Sequence, residues 1–277
     1  MCMEYPGGSD RILWHPAFAE AMRAELEDWE DILDFALEVP LNAAPSVMDM
    51  LVIKKKKDAV IGKNIARIFR EYNIIEYKSP EDYVSVWDFI KVYGYACSYS
   101  SSNRIDFRDI SVTFAGNHYP RKLFAYLEEE RGFTVEEPVS GIYHVIGDKL
   151  GLAIQFICQK RLSGEDNLWL NGLGNDLGAE ECARILAESE KRGTALGAYM
   201  DVTLRANPKT MAEVMGMNSI AEMRKAFSAV GAMQEWLAEV RAEGEASGRA
   251  ERERMRQENE RLRQEIATLR RISDAKG

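Results

Sequence analysis

The triplet Glu76-Tyr77-Lys78 closes an apolar run, NIIEYKSP, and a second apolar run upstream, SVMDMLVIKKKK, carries Asp49. In an extended strand alternate residues share a face. Glu76 and Lys78 therefore fall together with Ile74, and Asp49 falls with Val47, Leu51 and Ile53. If the two strands pair, Asp49 and Glu76 are expected to approach within metal-bridging distance. Isolated carboxylates on such faces are expensive to bury, and a divalent cation or a lysine partner removes that expense. Hard cations take oxygen ligands and keep several waters. Such an ion offsets phosphate charge and acidifies water, while a lysine beside it orients the water or stabilises developing negative charge. Two carboxylates and one lysine suffice for metal-dependent phosphodiester hydrolysis. The bland alternative is an internal ion pair of Glu76 with Lys78 or Lys54. One other acid-x-Lys triplet exists, Asp274-Ala275-Lys276, and it lies in the charged terminal tail.

A further carboxylate joins this set from the first helix. Phe18, Met22, Glu25 and Trp29 follow one helical stripe, which points Glu25 toward the core and Glu20 away from it. Glu25 would then complete a metal shell or orient a ligand, or else sit at the stripe's edge and reach water. From Lys54 to Lys78 eight basic residues stand against three acids, a local charge of +5 on a chain whose net charge is −9. Lys54, Lys55, Lys56 and Lys57, with Lys63, Arg67 and Arg70, are candidates to track phosphates, the alternative being a solvated basic loop. Lys91, on the helix after the triplet, is a weaker candidate of the same kind.

The elements that must position these groups read as follows. A helix runs from Trp14 to about Asp34, strands over Ile32 to Val39, Val47 to Ile53 and Asn73 to Ser79, and a helix over Val84 to Ser101 docking through Val86, Ile90, Tyr93 and Cys97. Ile110 to Phe114, Ile142 to Ile146 and Leu152 to Ile157 read as strands, and Arg121 to Arg131 as a short helix. From Asp176 onward all signals are helical. Met255, Asn259, Leu262, Ile266, Leu269 and Ser273 alternate by four and three residues, the seam of a short coiled coil that would join copies of the chain. The pattern gives a mixed α/β domain over 1–175, a helical region over 176–240 and a charged coiled-coil tail over 241–277.

Composition bounds the rest. With 46% hydrophobic and 29% charged residues the 277-residue chain is an ordinary globular mixture. No apolar run approaches the roughly 18 residues of a membrane span, and the first ten residues lack a signal-peptide pattern, so a cytoplasmic location is expected. Cys2, Cys97, Cys158 and Cys182 form no CxxC pair and the three histidines are scattered, so no zinc site is expected. NGLGND around Gly172 and Gly174 is too isolated for a nucleotide fingerprint.

The stretch DMLVIKKKK…IARIFREYNIIEYKSPEDYVSVWDFIKVYGYACSY resembles bacterial PD-(D/E)XK nuclease family transposases, related to the recombination-promoting nucleases called Rpn. The similarity is clearest from Trp14 to Ser101. It implies a restriction-endonuclease-like αβββαβ core with a helical C-terminal extension. Asp49, Glu76 and Lys78 would be its D…ExK residues and Glu25 its helix-one acid. The implied activity is Mg²⁺-dependent DNA endonuclease cleavage, with Mn²⁺ able to substitute. Met48 stands where the family name has proline. The alternative is a catalytically inactive nuclease fold that serves as an oligomeric scaffold.

Overall fold

The computed structural model describes residues 12–37, 51–147, 151–192 and 196–216. By contacts the chain divides into one unit over Met1–Met223 and another over Arg224–Gly277. The second unit, with the expected coiled-coil seam, lies outside the described residues, as does Asp49.

The first unit is a mixed α/β structure. It opens with α1 (Trp14–Glu25), then β1 (Leu33–Leu37), β2 (Leu51–Lys55), β3 (Tyr72–Tyr77), α2 (Val86–Asn103) and β4 (Ile110–Gly116). There follow α3 (Arg121–Ala125), β5 (Thr134–Val139), β6 (Ile142–Ile146) and β7 (Ala153–Cys158). Four helices end the described chain: α4 (Leu168–Asn171), α5 (Ala179–Arg192), α6 (Gly197–Ala206) and α7 (Pro208–Val214). The seven strands form one sheet in the order β1-β2-β3-β4-β7-β6-β5. The centre, β3-β4-β7, is parallel, and an antiparallel pair flanks it on each side.

Parallel strands are covered on both faces, and the burial shows two such layers. Leu51, Ile53, Ile75 and Tyr77 face a core built with Phe18 and Met22 of α1, Ile65, Trp169 and Tyr199. Val52, Ile74, Val112 and Phe114 face a second core built with Phe89, Val92 and Ala96 of α2. Asn73, wholly buried, fixes the register of the hairpin: its Nδ2 donates to Ile53 O at 2.9 Å and its Oδ1 accepts from Ser111 Oγ at 2.6 Å.

Several sequence expectations need revision. The buried centre of the helix docking face is Phe89, Val92, Ala96 and Tyr99; of the expected residues Val86 and Tyr93 pack at its margin, and Ile90 is exposed. This helix is apolar almost all round, so periodicity alone could not choose the stripe. Beyond the expected boundary at 175, Ile185, Leu196, Tyr199 and Val202 belong to the same core as α1. Thr134–Val139 is an edge strand that the sequence hid: two glutamates and Pro138 break its pattern, and its pairing is irregular between Glu136 and Val139. No helix among the described residues is long and apolar enough to cross a membrane.

Candidate active site

Glu76 and Lys78 sit at the C-terminal end of β3, on the α2 side of the sheet. The Lys78 backbone N–H donates to Ala115 O at 2.8 Å, which carries the β3–β4 ladder one step past Tyr77. Gly116 makes room for the lysine stem, since a Cβ there would stand 3.3 Å from Lys78 Cβ. On the facing helix, Ser85 and Asp88 form a capping box: Asp88 N–H donates to Ser85 Oγ at 3.2 Å, and Ser85 N–H donates to Asp88 Oδ2 at 2.9 Å. That box fixes Asp88 in the first turn of α2. Its free oxygen, Oδ1, accepts from Lys78 Nζ at 2.8 Å.

The result is a linear chain of charges. Glu76, 5% exposed, presents Oε1 to Lys91 Nζ at 3.1 Å and to Lys78 Nζ at 3.3 Å. Burial draws the Lys78 ammonium down, but the hydrogen bond to Asp88 and the charges of Glu76 and Asp88 outweigh it and hold the group above its ordinary pKa. Asp88 shows the converse. Burial pushes its carboxyl up, and Lys78 and Ser85 overcome that and hold it below the usual carboxylate range. Lys78 is accordingly a fixed cation at neutral pH, a donor and charge stabiliser and not a base. The cluster opens into a cleft of 220 Å³ lined by His15, Glu76, Tyr77, Lys78, Asp82, Lys91 and Tyr95.

Glu25 is equally buried, at 5% exposure, but lies across the sheet. It belongs to α1, which packs over Ile75 and Tyr77, and the structure therefore does not place it beside Glu76 as the sequence led one to expect. Its Oε1 accepts from the backbone N–H groups of Trp169 at 2.8 Å and Leu170 at 3.1 Å, and its Oε2 pairs with Lys63 Nζ at 2.6 Å. Lys63 also donates to Asp166 O. Burial pushes the Glu25 carboxyl up, and Lys63 and the two amides offset that only in part. A separate cleft of 160 Å³ adjoins it, lined by Glu27, Asp28, Glu165 and Asp166 among others, and shares no residue with the first.

Glu20, expected to face away from the core, accepts from Tyr199 N–H at 2.8 Å and so caps α6. Burial pushes its carboxyl up as well. The two α1 glutamates thus each hold the start of a distant helix.

Of the basic candidates, Lys54, Lys56, Lys57, Arg67 and Arg70 are exposed. Lys55 turns its Nζ onto Ala59 O at 2.7 Å. Lys63 and Lys91 are engaged by Glu25 and Glu76. Asp88 was missed although its signal was present, in the Ser85-x-x-Asp88 pattern ahead of an apolar run.

A magnesium ion asks for several oxygen ligands. Among the described residues no group of three or more His, Cys, Asp and Glu side chains could hold a metal ion. Glu76 is suitable in kind, a buried carboxylate open to a cleft, and Asp49, the other carboxylate of the expected pair, lies outside the described residues. Directly opposed residues of an antiparallel pair share a face. Leu51 opposes Ile75, so Leu51 and Ile53 face α1 whereas Glu76 faces α2. A pocket common to Asp49 and Glu76 thus requires the alternation to break ahead of Leu51, as it does at a β-bulge.

Comparison with protein-family models, with curated proteins and with solved structures finds no match to this chain.

Proposed function

We propose that the chain is a Mg²⁺-dependent DNA endonuclease of the PD-(D/E)XK type, associated with mobile elements or recombination. One observation carries the reading. A buried glutamate and a lysine two residues on share the α2 side of β3, where the parallel strands end and a cleft begins. Ends of parallel strands are where open α/β sheets accept ligands. The order of the first six elements, helix, three strands, helix, strand, supports the αβββαβ core that the resemblance implies.

In this reading Glu76 and Asp49 would hold the cation, which would supply positive charge at the phosphate and acidify water. Lys78, kept protonated by Asp88, donates to the attacking water or to the phosphate oxygens as charge develops. Lys91 exchanges Glu76 for a phosphate oxygen. Asp88 positions Lys78 and does not touch substrate. Glu25 braces α4 against α1, and Lys54, Lys56, Lys57, Arg67 and Arg70 follow the backbone of the DNA.

A second reading has its own observation. The four charges of the site already satisfy one another, as in a structural ion-pair network, which suits a non-catalytic scaffold that assembles copies of itself through the C-terminal tail. Supercoiled plasmid separates the two. The nuclease nicks it with Mg²⁺, not with EDTA, and loses the activity in Lys78→Ala and Asp49→Ala. A scaffold leaves the plasmid intact with Mg²⁺ and with Mn²⁺.

A further inference from the structure

The exposed face of α2 carries a large aromatic residue that the fold does not use. Trp87 is 77% exposed, and Tyr83, just ahead of the helix, is 65% exposed. Trp87, Lys91 and Tyr95 recur at i, i+4 and i+8 and so form one stripe along the helix. Lys91 and Tyr95 are in the wall of the cleft over Glu76. About one turn separates Trp87 from Lys91, about 6 Å along the axis, so the tryptophan lies one helical turn from a residue of the cleft wall. The Lys91 ammonium lies 5.9 Å from the centre of the Tyr95 ring and 3.1 Å from Glu76 Oε1. Tyr83 is stacked on His118 with ring centres 4.1 Å apart, and its exposure leaves it a second flat surface at the solvent.

We infer that this rim, Trp87 with Tyr83, stacks unpaired nucleobases of a DNA strand whose phosphate is handed to the cleft by Lys91. The inference rests on the hydrolytic reading of that cleft and names its substrate class. Alternation of ring and ammonium along one stripe is what a single strand needs, since every base offers a π-face and every linkage a phosphate. The local charge sharpens the choice. Exposed Glu81 and Asp82 flank the rim and repel phosphates of either form of DNA, so the attraction here comes from base faces. A duplex hides those faces in its own stack, whereas an unpaired or locally opened strand presents them. The lysine within the stripe also breaks up the apolar surface that a protein partner would bury.

The test uses the full chain in EDTA and a fluorescein-labelled 20-nucleotide DNA, unpaired or as the duplex of the same sequence, read by anisotropy. The unpaired strand is expected to bind about tenfold or more tighter than the duplex. Trp87→Ala should weaken the unpaired strand by roughly 5- to 100-fold, with Trp87→Phe retaining most of the affinity and duplex binding unchanged. Equal binding of strand by wild type and Trp87→Ala overturns the inference, and so does a preference for duplex. So does a change from dimer to monomer in Trp87→Ala with strand binding intact, which would make the stripe a contact between copies. Plasmid nicking by Lys78→Ala with Mg²⁺ is scored separately. Trp87-dependent binding without Lys78-dependent nicking refutes the hydrolytic reading alone, and nicking without Trp87-dependent binding refutes this inference alone.

Discussion

Glu25 and Glu76 have the same exposure and each is ion-paired to lysine, yet the two clefts differ in the nature of the partners. Glu25 accepts two hydrogen bonds from backbone amides at the start of α4. Those donors cannot move without unravelling the helix, so the carboxylate is bound into the frame. Glu76 is held by the tips of two lysines, and one of them, Lys91, is 44% exposed at its side chain. Such partners swing away through ordinary rotamer changes and leave an oxygen donor facing the cleft. Equal burial therefore accompanies a fixed frame on one side of the sheet and exchangeable partners on the other.

Substitutions on the two sides of the sheet should have opposite consequences. Lys78→Ala should lower Mg²⁺-dependent nicking by about 10²- to 10³-fold, with a small change in unfolding midpoint, because Lys91 still pairs with Glu76. Loss of folding with no nicking in the wild type would place both glutamates in the frame. Glu25→Ala should do the opposite. It strips two amides and Lys63 of a partner and should destabilise the fold by about 2–4 kcal/mol in urea denaturation, with cleavage falling only as folded protein is lost.

The pH responses of Glu25 and Asp88, on opposite sides of the sheet, should differ in sign. Burial holds the Glu25 carboxyl above its ordinary value of 4.5, so the folded chain binds that proton more tightly than the unfolded one. Its contribution to stability is fully present below pH 4.5 and is lost as pH rises through the folded pKa. Wild type should therefore gain on Glu25→Gln when urea unfolding is moved from pH 7 to pH 5. Asp88, held below its ordinary value of 3.8, contributes stability that is present above that value and is lost as pH falls through the folded pKa. Lys78, held above 10.5, contributes stability that is present below that value and is lost as pH rises through the folded pKa. Asp88→Asn should accordingly show its full stability loss at pH 7 and less of it near pH 3. The smallest effect belongs to Ser85→Ala, which removes the α2 cap for about 1 kcal/mol and should reduce nicking a few-fold, if at all, by loosening Asp88 from Lys78.

What the sequence disclosed and what it withheld follow from the range of the interactions involved. The strands at Asn73, Ile110, Ile142 and Leu152 are continuous apolar runs, and both the triplet and its strand could be read directly. The side of the sheet that Glu76 faces was also implicit in the alternation with Ile74. The function of Glu25 was not, because its amide partners lie more than 140 residues away in sequence and no local pattern announces them. The same distance hid the docking of Tyr199 on α1, and with it the continuity of the helical extension with the core. Asp88 is the opposite case, a local capping pattern that was legible and overlooked. Asp49 and the coiled-coil seam lie outside the described residues.

The irregular edge at β5 constrains how copies of this chain could join. Pro138 offers no amide for a neighbouring strand, and Glu136 and Glu137 place two negative charges on the same short segment. A second molecule approaching this margin would meet an interrupted ladder and its own like charges. Extending the sheet from one copy into the next is thereby discouraged at that margin, which leaves β1 as the other edge of the sheet.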